Sequence, residues 1–322
     1  MKNLIRFDKL RQLCCILLPS ASIAFITHQD FWLLAAFYAV CSIIPYSEHK
    51  NLKFALLMLV GLFLATEVLS YLIIQYPLIF IISLVIIGFI ISVIEKNKPS
   101  YRPISAYLFI GLIYSSFEIN HYFIHRSLDV ISLIFLLSLT SLFLGILFET
   151  HHTQKLAISF KLKKTDSLDY LAYPTVLMIT LVLWYLFNIP QPQWFIWSAL
   201  TVTSLNIDQT HQKLIKRLKG ASIGLPLGII SIFIIQLLCA PYSHLLQLIH
   251  YLSFMGIILS LRAFKHYIHG FAVRCFFISL FASDYFISIS LNRICDVLLG
   301  GLIGYSLSYS LNHLKLLQKH IY

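Results

Sequence analysis

Three carboxylates lie within or at the ends of long apolar segments, where an ionised side chain is costly. They are Glu67, Glu118 and Asp284. A carboxylate held away from water takes up a proton more readily than an exposed one, so each could bind and release protons. We predict that these three residues carry protons. The alternative for each is a structural ion pair with a nearby arginine.

Arg274 is the one cation placed deep in an apolar segment. Its planar guanidinium group can bind a carboxylate through two parallel hydrogen bonds, so we predict that Arg274 holds an anionic ligand. The alternatives are an ion pair with Glu67 and a side chain that extends towards the membrane surface. Aromatic residues open two short apolar runs, and we predict that Trp32, Trp194 and Trp197 line the same ligand. They could instead form an interfacial tryptophan belt.

Glu118, His121 and His125 share one face of a helix at spacings of three and four residues. This set could bind zinc or relay protons. A zinc site needs a further ligand that the sequence does not place, so we predict no metal and no cofactor. All six cysteines lie inside or at the ends of apolar segments without Cys-x-x-Cys spacing, which is typical of packing residues.

The elements that position these residues are transmembrane helices. Of the 322 residues 59% are hydrophobic and 11% charged, and the mean hydropathy is +0.83, so the polar surface is too small for a water-soluble protein. Apolar runs of about 20 residues each span a bilayer as helices. We predict an all-α polytopic bundle of about twelve spans, at 12–28, 31–45, 53–75, 77–95, 102–122, 129–150, 168–189, 192–207, 218–240, 242–261, 266–286 and 292–312.

The basic residues indicate the orientation of the chain. All lysines and arginines except Arg126, Arg274 and Arg293 fall at the termini or in alternate loops. The positive-inside rule therefore predicts a multi-pass membrane protein with both termini in the cytoplasm. The net charge of +11 then faces the lipid bilayer, and no basic domain is left to bind nucleic acid.

A repeated motif divides the chain into two halves. Arg126-x-x-Asp129 and Arg293-x-x-Asp296 each stand at the start of an apolar segment. We predict two six-helix parallel repeats, residues 1–150 and 168–322, joined by a basic cytoplasmic linker at 151–167. The four motif residues are assigned a role in starting helices and in gating at the outer surface.

Small residues four apart form smooth faces on two helices of the second half. They are Gly220, Gly224 and Gly228, which follow Arg217, and then Gly300 and Gly304. Such faces let helices approach closely. We predict a structural or gating role for all six residues, with contacts either within one chain or across a homodimer.

The order of these features resembles the fusaric acid resistance and aromatic acid exporter superfamily. The resemblance covers 168–313, from the short aromatic span through the basic segment and glycine face to Arg293-x-x-Asp296. In the first half only Trp32, a basic loop at 48–53 and Arg126-x-x-Asp129 match. The resemblance implies proton-driven export of small, often aromatic, organic acids, commonly beside a periplasmic adaptor protein.

We therefore predict a secondary exporter of aromatic or amphipathic organic acids or related toxic compounds, working by proton antiport, and not an enzyme. One alternative is an intramembrane enzyme acting on lipid-linked substrates, with His121, His125, Glu118 and Asp129 as its acid and base groups. The other is a membrane scaffold that serves a periplasmic adaptor without transporting anything.

Overall fold

The computed structural model describes residues 4–97, 102–122, 127–149, 168–190, 192–203, 207–239, 243–281 and 287–321. These residues form helices and short connections, and the described part of the chain contains no β-strand. One isolated bridge joins Ile5 to Phe264. The prediction of an all-α helical bundle is confirmed.

Twelve α-helices and one 3-10 turn make up the described part of the chain. The helices are α1 Phe7–Thr27, α2 Leu33–His49, α3 Leu52–Gln75, α4 Pro77–Asn97, α5 Arg102–Tyr122, α6 Leu128–Leu147, α7 Leu168–Phe187, α8 Pro192–Val202, α9 Ile207–Cys239, α10 Ser243–Arg262, α11 Tyr267–Phe281 and α12 Ile287–Ile321. The 3-10 turn Asp30–Trp32 leads into α2.

Eight helical segments within the described residues are long and apolar enough to cross a membrane. They lie in α1, the turn with α2, α3, α4, α6, α7, α9 and α10. The apolar stretches of α5 and α11 are shorter. The chain is a multi-pass membrane protein, and the count of twelve spans remains a prediction.

Three helices differ from their expected bounds. The basic segment before Gly220, expected as a loop, belongs to α9, because its lysine, arginine, leucine and glutamine residues are good helix formers. α8 has only 11 residues, about 16 Å of helix. α12 begins at Ile287, so Arg293 is not at a helix start. The apolar pattern therefore locates these segments but does not predict the residues at which the helices begin and end.

The helices fall into two compact units. Unit 1 consists of Met1–Leu64, Tyr122–Leu156 and Lys216–Arg293. In it α2 packs against α1 and α6, and α10 packs against α11 and α1. Every residue of α2 from Leu33 to Pro45 is buried, as expected for a helix that is apolar on all sides and surrounded by other helices.

Unit 2 consists of Ala65–His121, Ala157–Ile215 and Ile294–Tyr322. In it α7 packs against α4 and α8. α8 is the central element of this unit, since ten of its eleven residues are buried. A helix too short to cross the hydrocarbon is stable there only when other helices cover it.

Each unit takes helices from both ends of the chain. Unit 1 combines α1, α2 and α6 with α10, α11 and most of α9, whereas unit 2 combines α4, α5 and part of α3 with α7, α8 and most of α12. Under the repeat prediction, each helix of the first half corresponds to the helix six places later. Every helix of unit 1 then has its counterpart in unit 2, for example α1 with α7 and α10 with α4. We expect this arrangement when the two copies of a duplicated chain each contribute three helices to the other.

Candidate functional site

Arg274 lies near the middle of α11 in unit 1, with 9% of its surface exposed. Its Nε donates a hydrogen bond of 3.1 Å to Oγ of Ser260 on α10. The guanidinium group is therefore held from one side by a neutral hydroxyl. Its positive charge is retained inside the helix packing, where an uncompensated charge is costly.

A second buried arginine shares an aromatic ring with Arg274. The guanidinium carbon of Arg217 on α9 lies 4.6 Å from the ring centroid of Phe271, and that of Arg274 lies 5.9 Å from it. Arg217 is 6% exposed. Both distances are within the range of cation–π attraction. We call Arg217, Arg274 and Phe271 the arginine pair site.

The glycine face of α9 makes this site possible. A Cβ added to Gly220 would stand 3.0 Å from the Phe271 ring, and one added to Gly224 would collide with the backbone carbonyl of Ala272. A Cβ on Gly228 would stand 2.7 Å from Cβ of Ser279. The two backbones thus approach closely over three turns, and this contact brings Arg217 to the ring of Phe271 on α11.

The tryptophans of α8 lie in unit 2. Trp194 packs edge-on against Tyr114 of α5, with ring centroids 5.6 Å apart, and is 5.8 Å from Trp197. Both tryptophans are buried. These residues are packed inside the unit, so they do not form an interfacial belt at its surface.

A second glycine face holds α12 against α8. A Cβ on Gly300 would collide with the carbonyl of Phe195, and one on Gly304 would collide with the carbonyl of Ala199. Oγ of Ser198 also donates to the carbonyl of Val297. The close approach of these two helices is therefore fixed by backbone contacts.

The segment that contains both glycine faces and both buried arginines is similar to a known family. Residues 177–306 match the family model described as fusaric acid resistance protein-like. The resemblance predicted from the sequence is confirmed there. No curated protein and no solved structure gives a significant match.

A carboxylate site lies at the start of α8, between that helix and α5. Nε2 of Gln193 donates to Oε2 of Glu118 over 3.3 Å, and Gln193 is buried while Glu118 is half-buried. Asp296 is 8% exposed and lies one turn before Gly300, on the α12 face that meets α8. Glu118 and Asp296 are thus two sheltered carboxylates of unit 2.

Glu67 also belongs to unit 2. It is half-buried on α3, and its backbone carbonyl accepts a hydrogen bond from Ser70. The buried arginines Arg217 and Arg274 belong to unit 1, and Glu67, Glu118 and Asp296 belong to unit 2. Trp32 belongs to unit 1, where it lies in the 3-10 turn beside Phe31.

The two Arg-x-x-Asp motifs have different environments. Asp129 is exposed in the first turn of α6, where Oγ of Ser127 accepts a hydrogen bond from the Val130 amide. Asp296 is buried in the third turn of α12. The expectation that both motifs start helices is wrong for the second, because α12 extends upstream to Ile287.

Some of the predicted residues lie outside the part of the chain that the structure describes. These are Arg126, Asp284, His125 and the linker 151–167, together with the side chains of His121 and Arg293.

Sequence analysis missed Glu149, which follows the end of α6 in unit 1. Its carboxylate lies 2.9 Å from Nζ of Lys9 and 3.0 Å from Nζ of Lys50. It also accepts hydrogen bonds from Oγ of Ser47, over 2.7 Å, and from Nε2 of Gln12. Burial alone raises the pKa of Glu149, but these hydrogen bonds outweigh it and lower the pKa to about 2. Glu149 therefore stays ionised and ties α6 to α1 and α2.

A histidine cluster at the opposite end of unit 1 was also missed. Nε2 of His250 on α10 lies 3.2 Å from Oδ2 of Asp30, and Nδ1 of His28 is 2.5 Å from Oε1 of Gln247. His250 is 7% exposed. No group of three or more metal-binding side chains occurs among the described residues. The spacing of these residues in the sequence gives no indication that they meet.

Proposed function

We propose that this protein is a secondary transporter that exports small organic anions, aromatic ones in particular, in exchange for protons. The observation that carries the proposal is the arginine pair site, in which two buried guanidinium groups lie within cation–π distance of the ring of Phe271. The fusaric acid resistance protein-like match supports a transporter of the resistance type.

The chemistry of the site favours an aromatic carboxylate. Each guanidinium can donate two parallel hydrogen bonds to a carboxylate, and two cations compensate more than one negative charge. The Phe271 ring adds a flat apolar surface on which an aromatic ligand can pack. A carboxylate with an attached ring therefore satisfies both parts of the site.

Proton coupling is assigned to the carboxylates of unit 2. Glu118 is joined to the buried amide of Gln193, and Asp296 is buried on the α8-facing side of α12. A sheltered carboxylate can be neutral in one conformation and ionised in another, which is the requirement for a group that carries a proton. Glu67 of unit 2 is proposed as a further member of this group, and Asp284, which lies outside the described residues, is proposed to carry protons as well.

The membrane setting is part of the proposal. We place both termini in the cytoplasm of a bacterium and the 3-10 turn Asp30–Trp32 at the outer face of the inner membrane, because the lysines and arginines then follow the positive-inside rule. A periplasmic adaptor protein as partner and assembly as a homodimer also belong to the proposal.

The test is transport of benzoate by purified protein in liposomes, with and without an imposed proton gradient. Arg274→Gln and Arg217→Gln should each weaken benzoate binding about 10- to 100-fold, since each removes charge-assisted hydrogen bonds of about 1.5–3 kcal/mol. Arg274→Lys keeps the charge but loses the planar fork and should be intermediate. Lys53→Gln, at an exposed lysine of α3, is the matched loss of a positive charge and should behave as wild type.

Two results would reject the proposal. If both arginine variants bind and transport benzoate like Lys53→Gln, the arginine pair is not the anion site. If wild-type uptake is the same with and without the gradient, proton exchange is not the driving reaction.

A further inference from the structure

The outer end of unit 1 carries a buried histidine whose proton affinity is open to control by an aspartate. Nε2 of His250 lies 3.2 Å from Oδ2 of Asp30, which belongs to the 3-10 turn before α2. The side chain of His250 is buried, whereas that of Asp30 is 37% exposed. The pair is therefore in contact with solvent on the aspartate side and with the helix packing on the histidine side.

Aromatic rings and further titratable groups surround the pair. The imidazole of His250 stacks on Phe281 of α11 at 4.1 Å and lies 5.8 Å from the ring of Tyr251. On α10, Gln247 donates to the hydroxyl of Tyr251 over 2.7 Å.

Two exposed histidines complete the cluster. From α1, His28 contacts Oε1 of Gln247, and its ring lies 5.9 Å from that of His244 on α10. The charged and titratable groups that the described elements bring to this end of unit 1 are therefore His28, Asp30, His244, His250 and Tyr251.

The same two helices hold this histidine and the arginine pair site. α10 and α11 pack along each other, with the ring of Phe277 against Gly256 and the hydroxyl of Ser260 bound to Arg274. Arg274 precedes Phe281 by seven residues, which is two helical turns on one face of α11. A shift of α10 and α11 against α1 and the turn would move both His250 and Arg274.

We propose that His250, with Asp30 as its counter-charge, is a proton-binding site that controls anion binding at the arginine pair. The proposal rests on the proposed function. The imidazole faces Asp30 through Nε2, and uptake of one proton by the ring gives an imidazolium ion. Histidine is the side chain whose unperturbed pKa lies nearest neutral pH, so His250 is the member of this cluster suited to bind and release a proton there.

Protonation changes how α10 is held. The imidazolium ion attracts the Asp30 carboxylate, and this attraction fixes α10 and α11 against the turn and α1. Without the proton the imidazole carries no net charge, and this charge–charge attraction is lost. For proton exchange, the protonated conformation must bind the anion more weakly, and by linkage the bound anion must lower the affinity for the proton by the same factor.

The experiment measures protons released when benzoate binds to the purified protein in weakly buffered detergent solution between about pH 5.5 and 8, where benzoate stays ionised and imidazole titrates. Wild type should release protons, and its benzoate Kd should rise about tenfold towards the acidic end. His250→Gln should bind benzoate with a Kd that changes less over the same range than that of wild type, and it should release clearly fewer protons, the remainder coming from the carboxylates assigned to proton exchange. His244→Gln, at an exposed histidine of the same cluster, should behave as wild type.

Asp30→Asn provides the second variant, since it keeps the imidazole. Its proton release should persist and shift to lower pH, because the imidazolium has lost its counter-charge. Proton release from His250→Gln equal to that of wild type would overturn the site while leaving the proposed function intact. A wild type that binds no benzoate would reject the proposed function and the site together. Equal changes in His250→Gln and His244→Gln would show a general effect of the cluster and also overturn the site.

Discussion

The guanidinium carbon of Arg217 lies 4.6 Å from the ring centroid of Phe271, one turn of α11 before Arg274. Both buried cations therefore lie within cation–π distance of one ring. Its negative face partly compensates both charges. This relationship makes Phe271 the residue on which both the affinity and the aromatic preference of the proposed site depend.

Phe271→Leu should weaken benzoate binding about five- to tenfold, corresponding to the loss of about 1–1.5 kcal/mol of aromatic and cation–π interaction. Acetate has no ring, so its binding should change less than that of benzoate. The measurement is isothermal titration of both anions with wild type and variant. Phe276→Leu is a control at a neighbouring phenylalanine of the same helix. An equal loss for both anions would contradict a stacking role for the ring.

Gly224→Ala should destabilise unit 1 strongly, because the added methyl group collides with the backbone carbonyl of Ala272 and a backbone cannot move aside as a side chain can. We expect a loss of about 2–4 kcal/mol, seen as a lower melting temperature in detergent. Gly61→Ala is the matched control on α3, since its added Cβ meets no atom within 4 Å. Equal melting temperatures for the two variants would exclude tight α9–α11 packing.

Gly300→Ala and Gly301→Ala form an adjacent pair that tests the α8–α12 contact of unit 2. The methyl group at position 300 collides with the carbonyl of Phe195, whereas the one at position 301 has its nearest contact, Oγ of Ser198, at 3.5 Å. We expect the first variant to lose about 2–4 kcal/mol of stability and the second to stay within about 1 kcal/mol of wild type. Comparable losses at both positions would show that α12 lies in another register on α8.

Spacing in the sequence was sufficient to find the glycine faces and Arg274. Residues four apart share a helix face whatever that helix packs against, and a lone cation in an apolar run is visible without a structure. The identity of the partner helix is not encoded in spacing. Sequence analysis therefore placed Arg217 in a loop and did not connect it with Phe271, which lies on another helix.

The missed sites depend on contacts between distant parts of the chain. Glu149 and Lys9 are 140 residues apart, and His250 meets an aspartate in the turn before α2. Glu149 lies at the end of an apolar run, where charged residues are common, so its position in the sequence does not indicate a buried site. Only the packing of α6 beside α1 and α2 shows that two polar side chains, Ser47 and Gln12, and two lysines converge on its carboxylate.

Glu149→Gln should lower the stability of unit 1 by about 2 kcal/mol at neutral pH, because Lys9 and Lys50 lose the carboxylate between them while the hydrogen-bonding shape is kept. The pKa of Glu149 in the folded protein is lowered to about 2 from its ordinary value of 4.5. The unfolded chain therefore binds the proton first as pH falls. The stabilisation is fully present above about pH 4.5 and is lost as the pH falls towards 2.

The difference in melting temperature between wild type and Glu149→Gln should accordingly be constant from neutral pH down to about pH 5 and shrink below that. Asp8→Asn, at an exposed aspartate in the first turn of α1, is the matched removal of one negative charge and should cost less than about 0.5 kcal/mol. A difference between wild type and Glu149→Gln that stays constant down to pH 2 would mean that the ionised carboxylate is not what stabilises this end of α6.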